Sequence, residues 1–228
     1  MNKLPIDLQL HFFKFYDDEI PVSDFESWVY TNKDIEQYLD NETYTRLISL
    51  NFKDKYIKNE MSKTIDIYLD FGKYEERKLR RILKDLVNRT DNFTKSLIET
   101  YDLYCSGYDF FNNLAFGYGL TFSSDFYDFN EWEKLTHEEK MKRIDKVYQG
   151  VKSEASLLLM WLDERVIIPT GEVGDLGQLE FIDNRTDIEK KLRTVKTIDY
   201  SQKGTIRNWI NYLRFHLNNY IKKVCSWL

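Results

Sequence analysis

The three histidines and two cysteines are the side chains best suited to metal binding or nucleophilic chemistry, and their spacing favours neither. His11, His137 and His216 are far apart, and none has a histidine or cysteine neighbour at the spacing of a zinc site. Cys105 and Cys225 both lie in apolar helical patterns, where a thiol is expected to be buried and inert. The sequence therefore predicts no metal site and no cofactor, and two unpaired thiols indicate a reducing compartment.

The glycine-rich stretch 171–177, GEVGDLG, is the nearest match to a phosphate-binding loop. Its glycines are three residues apart, but it lacks the lysine and the serine or threonine of a P-loop, and no helix follows it directly. Glu180 and Asp183 have a nuclease-like spacing without the lysine that such a strand needs. We predict a flexible hairpin tip at 171–177 and no catalytic residues. An enzyme of unrecognised type is the alternative.

Acidic residues beside aromatic rings form the candidate partner-binding surface. They occur in two stretches, 17–24 and 123–131. Carboxylates can steer a basic partner toward such a surface, and aromatic rings can anchor it. The alternative is that both stretches are ordinary solubilising loops. The candidate residues are Asp17, Asp18, Glu19, Asp24, Asp125, Tyr127, Asp128 and Glu131.

The charge distribution argues against nucleic acid as the main partner. The chain of 228 residues has a net charge of −5, and residues 1–50 hold ten acids and four bases. A basic stretch at 73–89 could bind nucleic acid or another anion, but its bases are interleaved with Glu75, Glu76 and Asp85. Mixed charge of this kind is typical of a solvated helix face. We therefore predict a protein partner and no nucleic acid.

A central buried helix over residues 93–116 is the main structural prediction. Apolar and aromatic residues recur there at three- and four-residue steps, and beyond Leu103 they occupy the other faces as well. Gly117 and Gly119 predict a tight exit from this helix. With only 9 Gly and 3 Pro in the chain, long helices and short connections are expected.

The other elements follow from apolar periodicity and capping signals. Residues 6–16 alternate in part, which leaves a short strand and an irregular helix both open. Ser23 to Glu26 and Thr136 to Glu139 have the pattern of capping boxes, which open helices. Further helices are predicted at 34–39, 41–52, 56–70 (ended by Gly72), 74–88 (followed by a cap at Thr90 or Asp91), 136–148, 151–164, 187–193 and 205–227, with strands at 166–169 and 178–183.

These elements predict a mainly α fold. It is a compact array of helices around the central helix 93–116, with one small β-hairpin near 166–183. We expect a single domain over 1–228, with a possible boundary between lobes at 123–131. No apolar run approaches the roughly 20 residues that span a bilayer, and Pro5 and Asp7 interrupt any signal-peptide pattern. We therefore predict a cytoplasmic protein without a membrane segment, and leave open whether it is a monomer or a homodimer.

Two passages resemble a family of small, uncharacterised bacterial proteins, many of them from Gram-positive genomes. The first is IPVSDFESWVY at 20–30, followed by Ile35-Glu, Leu39, Tyr44 and Leu47-Ile48. The second is YDLYCSGY at 101–108 with GYGL at 117–120. The resemblance extends over about half of the chain, and the residues of these two passages are mainly aromatic and aliphatic, which is typical of core positions.

The resemblance implies a cellular role and no catalytic residues. Proteins of this family are often encoded beside polymorphic toxins and are taken to be immunity proteins. We therefore predict a non-catalytic protein that neutralises a toxin's effector domain by steric and electrostatic occlusion. The alternative is a modulator of phage or host defence that binds a different protein, and the neighbouring genes would distinguish the two.

Overall fold

The computed structural model describes residues 3–119 and 134–192. Over these residues the protein is mainly helical with one small antiparallel hairpin, which confirms the predicted fold class. In chain order the α-helices and β-strands of the described residues are α1 (Ile6–Tyr16), α2 (Val22–Thr31), α3 (Asp34–Tyr38), α4 (Asn41–Ile48), α5 (Ile57–Ile65), α6 (Phe71–Asn88), α7 (Phe93–Cys105), α8 (Asn112–Leu114), α9 (His137–Asp163), β1 (Ile167–Val173), β2 (Leu179–Asp183) and α10 (Asp187–Leu192). Short 3-10 turns lie at Asp66–Tyr68 and Asp109–Phe111, and a π-helical turn at Ala115–Gly119.

The apolar residues form two separate clusters. The N-terminal core is built from one side of α1 to α5 and contains Phe12, Phe25, Ile35, Leu47 and Met61, all fully buried. The second core lies between α6, α7, α9 and the segment 108–114. Both clusters belong to one compact unit of the chain, 1–193.

Helix α6 belongs to both cores. Its first turns carry Phe71 and Tyr74, which pack against the N-terminal core. Its later turns carry Leu79, Ile82 and Leu83, which are buried in the second core. Apolar residues at three- and four-residue steps along this helix make that double burial possible.

Residues 6–16 form a helix, which settles the choice that the partial alternation left open. Leu8, Phe12 and Phe15 are buried and lie four and three residues apart, which is the period of a helix face. Pro5 precedes the first turn, where a missing N–H costs nothing.

The predicted central helix is correct only as far as Cys105. The chain leaves α7 through Gly107, whose φ of +118° suits glycine, and continues in short turns to Gly119. A Cβ built on Gly107 would lie 2.8 Å from the carbonyl oxygen of Leu179 in β2, so the hairpin passes too close for a larger residue. The prediction of burial is confirmed for Tyr101 and Tyr108, but Cys105 is exposed and not buried as predicted.

Two more predicted boundaries are wrong because tertiary packing sets the position of the glycine. Gly72 does not end a helix; it lies in the first turn of α6, where a Cβ would come within 2.7 Å of the Pro169 carbonyl in β1. Gly150 does not separate two helices, since α9 runs without a break from His137 to Asp163. The Tyr118 hydroxyl occupies the space where a side chain at Gly150 would lie.

The two predicted capping boxes have different outcomes. Thr136 caps α9: its hydroxyl accepts from the Glu139 backbone N–H, and the Glu139 carboxylate accepts from the Thr136 N–H at 2.8 Å. Ser23 caps nothing, because α2 begins at Val22 directly after Pro21 and places Ser23 inside the first turn. Asn92, not Thr90 or Asp91, precedes α7, and it makes no side-chain cap.

Replacing Thr136 and Ser23 tests whether the first residue caps a helix and the second does not. Thr136→Ala is expected to lower the free energy of unfolding by about 1 kcal/mol, because it removes the hydroxyl that accepts from the Glu139 N–H and donates to the Glu139 carboxylate. Ser23→Ala is the matched control and is expected to change it by less than about 0.5 kcal/mol. Urea denaturation followed by circular dichroism measures both. Equal losses in the two variants would contradict the cap assignment.

The predicted hairpin is confirmed. Ile167 pairs with Asp183 and Pro169 with Phe181, and the register shifts between Pro169 and Val173. The predicted short helix at 187–193 is present as α10. The predicted helix at 205–227, with His216 and Cys225, and the possible boundary at 123–131 lie outside the described residues. In the part of the chain that is described, no helix is both long and apolar enough to cross a bilayer.

Candidate protein-binding surface

The acidic residues 17–19 at the end of α1 bind cations of this same chain. Asp17 accepts from Arg77 Nη1 at 2.7 Å and from the Tyr74 hydroxyl at 2.6 Å, and Glu19 pairs with the other terminal nitrogen of Arg77. Asp18 lies 2.6 Å from Lys58 Nζ. Each of these three carboxylates thus already has an ion-pair partner within the chain, with two bases, Arg77 and Lys58, serving three acids. Their role in partner binding stays a prediction.

This cluster ties α1 to α6. Burial, followed by the hydrogen bond to Asp17, raises the pKa of Tyr74, so the hydroxyl stays protonated and donates to the carboxylate. Burial and the Asp66 carboxylate raise the pKa of Tyr16 in the same way. The Tyr16 hydroxyl donates to Asp66 at 2.8 Å. Both tyrosines therefore act as neutral hydrogen-bond donors that join elements distant in the sequence.

Asp24 is different, since it belongs to a set of acids on α2 to α4 that have no cationic partner among the described residues. The stretch 22–48 holds six acids and two bases, a net charge of −4. Its inner side carries the core residues Phe25, Val29 and Ile35, which leaves the carboxylates on the outer side. We call this set the acidic face; it comprises Asp24, Glu26, Asp34, Glu36 and Glu42.

Two exposed tyrosines belong to the same stretch of the chain as these carboxylates. Tyr30, near the end of α2, is 53% exposed, and Tyr38, at the end of α3, is 47% exposed. The Tyr30 ring contacts Phe52 with 6.0 Å between ring centroids, which holds it against the body of the protein. Exposed rings beside uncompensated carboxylates are the combination that suits recognition of a basic protein surface.

Sequence reasoning selected Asp24 from the acidic face and missed the other acids and both tyrosines. The net charge of the first 50 residues indicated this part of the chain. It could not indicate the ion pairs that residues 17–19 form within the protein. The remaining candidates, Asp125, Tyr127, Asp128 and Glu131, lie outside the described residues.

Most bases of α6 are paired with acids. Arg80 pairs with Glu76 and, at 2.5 Å, with Asp163 of α9, while Lys78 lies 3.0 Å from Glu75. Arg77 binds the end of α1 as described above. The positive run predicted from the sequence therefore serves mainly to connect elements, as expected of mixed charge.

One buried polar pair lies between α6 and the hairpin. Glu75 Oε2 and the Tyr108 hydroxyl are both buried and have no hydrogen-bond partner among the described residues, while the other Glu75 oxygen binds Lys78. Burial, and then the negative charge of Glu75, raises the pKa of Tyr108. The pair is enclosed by packed side chains: the Tyr108 ring contacts Phe110 and Phe181 with 5.3 and 5.9 Å between centroids.

The described residues contain no group of three or more histidine, cysteine or carboxylate side chains that could hold a metal ion. The His11 ring stacks on Trp28 with 4.4 Å between centroids and 4° between planes. The prediction of no metal site stays a prediction for the chain as a whole.

No protein-family model, curated protein or solved structure matches this chain.

Proposed function

We propose that this protein acts without catalysis, by binding another protein, and that it is an immunity-type protein that neutralises a toxin's effector domain. The proposal places it in the cytoplasm, where such a toxin would act. It also names the partner's chemistry: a basic surface, of the kind that a nuclease-like toxin presents to its substrate.

The acidic face is the observation that supports this proposal. Most described acids from Asp66 to Glu99 bind a base or a hydroxyl of the same chain, whereas the five carboxylates of the acidic face form no ion pair with any described residue. Exposed acids of one sign in one stretch raise the rate at which a basic partner is captured. Tyr30 and Tyr38 supply ring surface at the same place.

Inhibition would follow from the contact itself. A basic effector domain needs its positive surface to hold an anionic substrate, and a bound acidic protein covers that surface and cancels its field. This mechanism requires no group that reacts, only complementary shape and charge.

Neutralising the acidic face tests the proposal. The probe is the purified product of the gene next to the one that encodes this chain. Asp24→Asn with Asp34→Asn and Glu36→Gln is expected to slow association about 10- to 100-fold at low ionic strength, and to weaken the dependence of the rate on salt. Stopped-flow or surface plasmon resonance measures both quantities.

A charge-matched variant is the control. Asp91→Asn with Glu138→Gln and Glu164→Gln removes the same charge from exposed residues outside the acidic face. It is expected to change the association rate by less than about threefold. Equal slowing in both triple variants would show that only net charge matters, and absence of binding by the unaltered protein would reject this partner.

A further inference from the structure

The tip of the hairpin presents two aliphatic side chains to solvent. Leu176 is 91% exposed and Val173 is 62% exposed. Isolated exposed aliphatic residues are common, but two that lie three residues apart in one closed turn make a candidate contact surface. We call residues 172–178 the hairpin tip.

Hydrogen bonds close this tip. The Gly174 N–H donates to the Gln178 carbonyl and the Gly177 N–H to the Gly174 carbonyl, each at 2.8 Å. The Thr170 hydroxyl donates to the Glu180 carbonyl across the two strands at 3.0 Å. The tip therefore has a defined backbone shape, which lowers the conformational entropy lost when it binds.

The base of the hairpin is fixed to the body of the protein. Phe181 packs on Phe110 with 4.9 Å between ring centroids, and the Leu179 N–H donates to the Ser106 carbonyl at 2.6 Å. On the other strand, the backbone at Gly171 lies directly against Phe71 and Gly72 of α6. A fixed base and a projecting aliphatic end give the geometry of an anchor that enters a pocket.

The charged residues of the hairpin around Val173 and Leu176 are all acidic. Residues 166–184 hold four acids and no lysine or arginine. Glu172, Asp175 and Glu180 form no ion pair with the described part of the chain. Carboxylates around the tip are repelled by the phosphates of nucleic acid and of anionic membranes. Neither is therefore a suitable partner for the hairpin tip.

We infer that the hairpin tip is a docking element that inserts Leu176, supported by Val173, into an apolar pocket rimmed by lysine and arginine on a partner protein. This inference rests on the proposed protein-binding function and adds a second contact, on a different part of the molecule from the acidic face. The apolar anchor sets the lifetime of the complex, and Glu172 and Asp175 match the basic rim.

The test replaces the anchor and keeps the hairpin. Leu176→Ser with Val173→Thr is compared with Ile67→Ser, which removes an aliphatic side chain of similar exposure from a turn outside the hairpin. Thermal unfolding checks that both variants fold as the unaltered protein does. With the neighbouring gene's product as probe, the hairpin variant is expected to bind about 10- to 100-fold more weakly, mainly through faster dissociation, and Ile67→Ser within about twofold.

Each outcome decides one of the two proposals. If the unaltered protein binds this probe and the hairpin variant binds it equally well, the docking inference is overturned and the proposed function stands. If the unaltered protein does not bind, the proposed function fails for that partner. A second probe then decides the docking inference: an amphipathic peptide with leucines on one face bordered by lysines.

The peptide is titrated into isotope-labelled protein and followed by amide chemical shifts. We expect shifts confined to the hairpin tip and adjoining residues, and their loss in the Leu176→Ser, Val173→Thr variant. Shifts confined to the acidic face, or no shifts, overturn the inference. Sedimentation equilibrium supplies a further outcome: a dimer that dissociates on loss of Leu176 would make the tip a contact between copies of this chain, and would also overturn it.

Discussion

Gly171→Ala is expected to lower the free energy of unfolding by about 2–5 kcal/mol, from left-handed backbone strain and overpacking together. Gly171 has a φ of +75°, which an alanine adopts only with strain. A Cβ at this position would also overlap the backbone of Phe71 and Gly72, and backbone atoms cannot move aside as the end of a side chain can. Either the hairpin separates from α6 or the strand distorts, and both outcomes cost packing.

The matched control is Gly117→Ala. A Cβ at Gly117 meets no atom of the described residues within 4 Å, and its backbone is not in the left-handed region. We expect a change of less than about 0.5 kcal/mol. Thermal and urea unfolding of both variants measure the difference, and a stability loss at Gly117 equal to that at Gly171 would contradict the close approach of β1 to α6.

Arg185→Met is expected to lower the free energy of unfolding by about 2–4 kcal/mol, because the partly buried carboxylate of Asp183 then keeps only Lys190 as a cationic partner. The Arg185 side chain is only 7% exposed. Its nitrogens bind Asp183 at 2.9 Å and Asp109 at 3.2 Å, and its guanidinium lies 5.2 Å from the centre of the Trp161 ring. Methionine keeps much of the apolar stem, so the loss reports mainly on charge and hydrogen bonds.

Lys190→Met is the control for this prediction. Lys190 also pairs with Asp183, at 3.3 Å, but its side chain is largely solvated. Surface pairs of this kind contribute less than about 1 kcal/mol. If both substitutions lowered the free energy of unfolding by the same amount, Arg185 would contribute no more than an ordinary surface ion pair.

The same ion pair predicts a pH dependence. Burial alone would raise the pKa of Asp183, but the hydrogen bonds and positive charge of Arg185 outweigh it, and the pKa is lowered. The stabilisation is therefore present above the unfolded-state pKa of about 3.9 and is lost as pH falls through the lower folded-state value. In Arg185→Met this part of the acid sensitivity is expected to become smaller, because Lys190 is then the only cation left to lower the pKa of Asp183. A pH series of urea denaturation curves for the two proteins measures it.

Local signals in the sequence predicted most of the elements correctly. Thr136 and Glu139 satisfy each other within one turn, so the start of α9 needs no information from the rest of the chain. The hairpin was predicted for a similar reason, since two short apolar runs enclose a glycine-rich tip. Ser23 and Glu26 show the limit of such patterns: Pro21 starts α2 earlier and leaves the serine inside the helix.

The errors occur where distant parts of the chain determine local structure. Gly72 and Gly150 have the sequence signature of helix ends, yet each is a glycine because another segment passes against it. Cys105 follows the apolar period of α7 but lies at its last residue, where the chain turns away and leaves the thiol exposed. The periodicity of apolar residues gives no information about which distant parts of the chain pack against a given position.

The candidate surface was less predictable than the fold. Asp17 and Glu19 are separated from Arg77 by about 60 positions, so no local pattern shows that their charge is matched. In the sequence, the acidic face appeared only as an excess of acids in the first 50 residues. Its members could be identified only from the structure, which shows which of the other acids form ion pairs. Leu176 follows no apolar period at all, and its exposure became evident only from the closed hairpin tip.

Because α6 contributes to both apolar clusters, a cut at either end of this helix does not divide the polypeptide into two self-sufficient fragments. A fragment that ends before Phe71 would leave the N-terminal cluster without Phe71 and Tyr74, and one that begins after Asn88 would lose Leu79, Ile82 and Leu83 from the other. Protease cleavage at either end of the helix is therefore expected to give one fragment with an incomplete, aggregation-prone core.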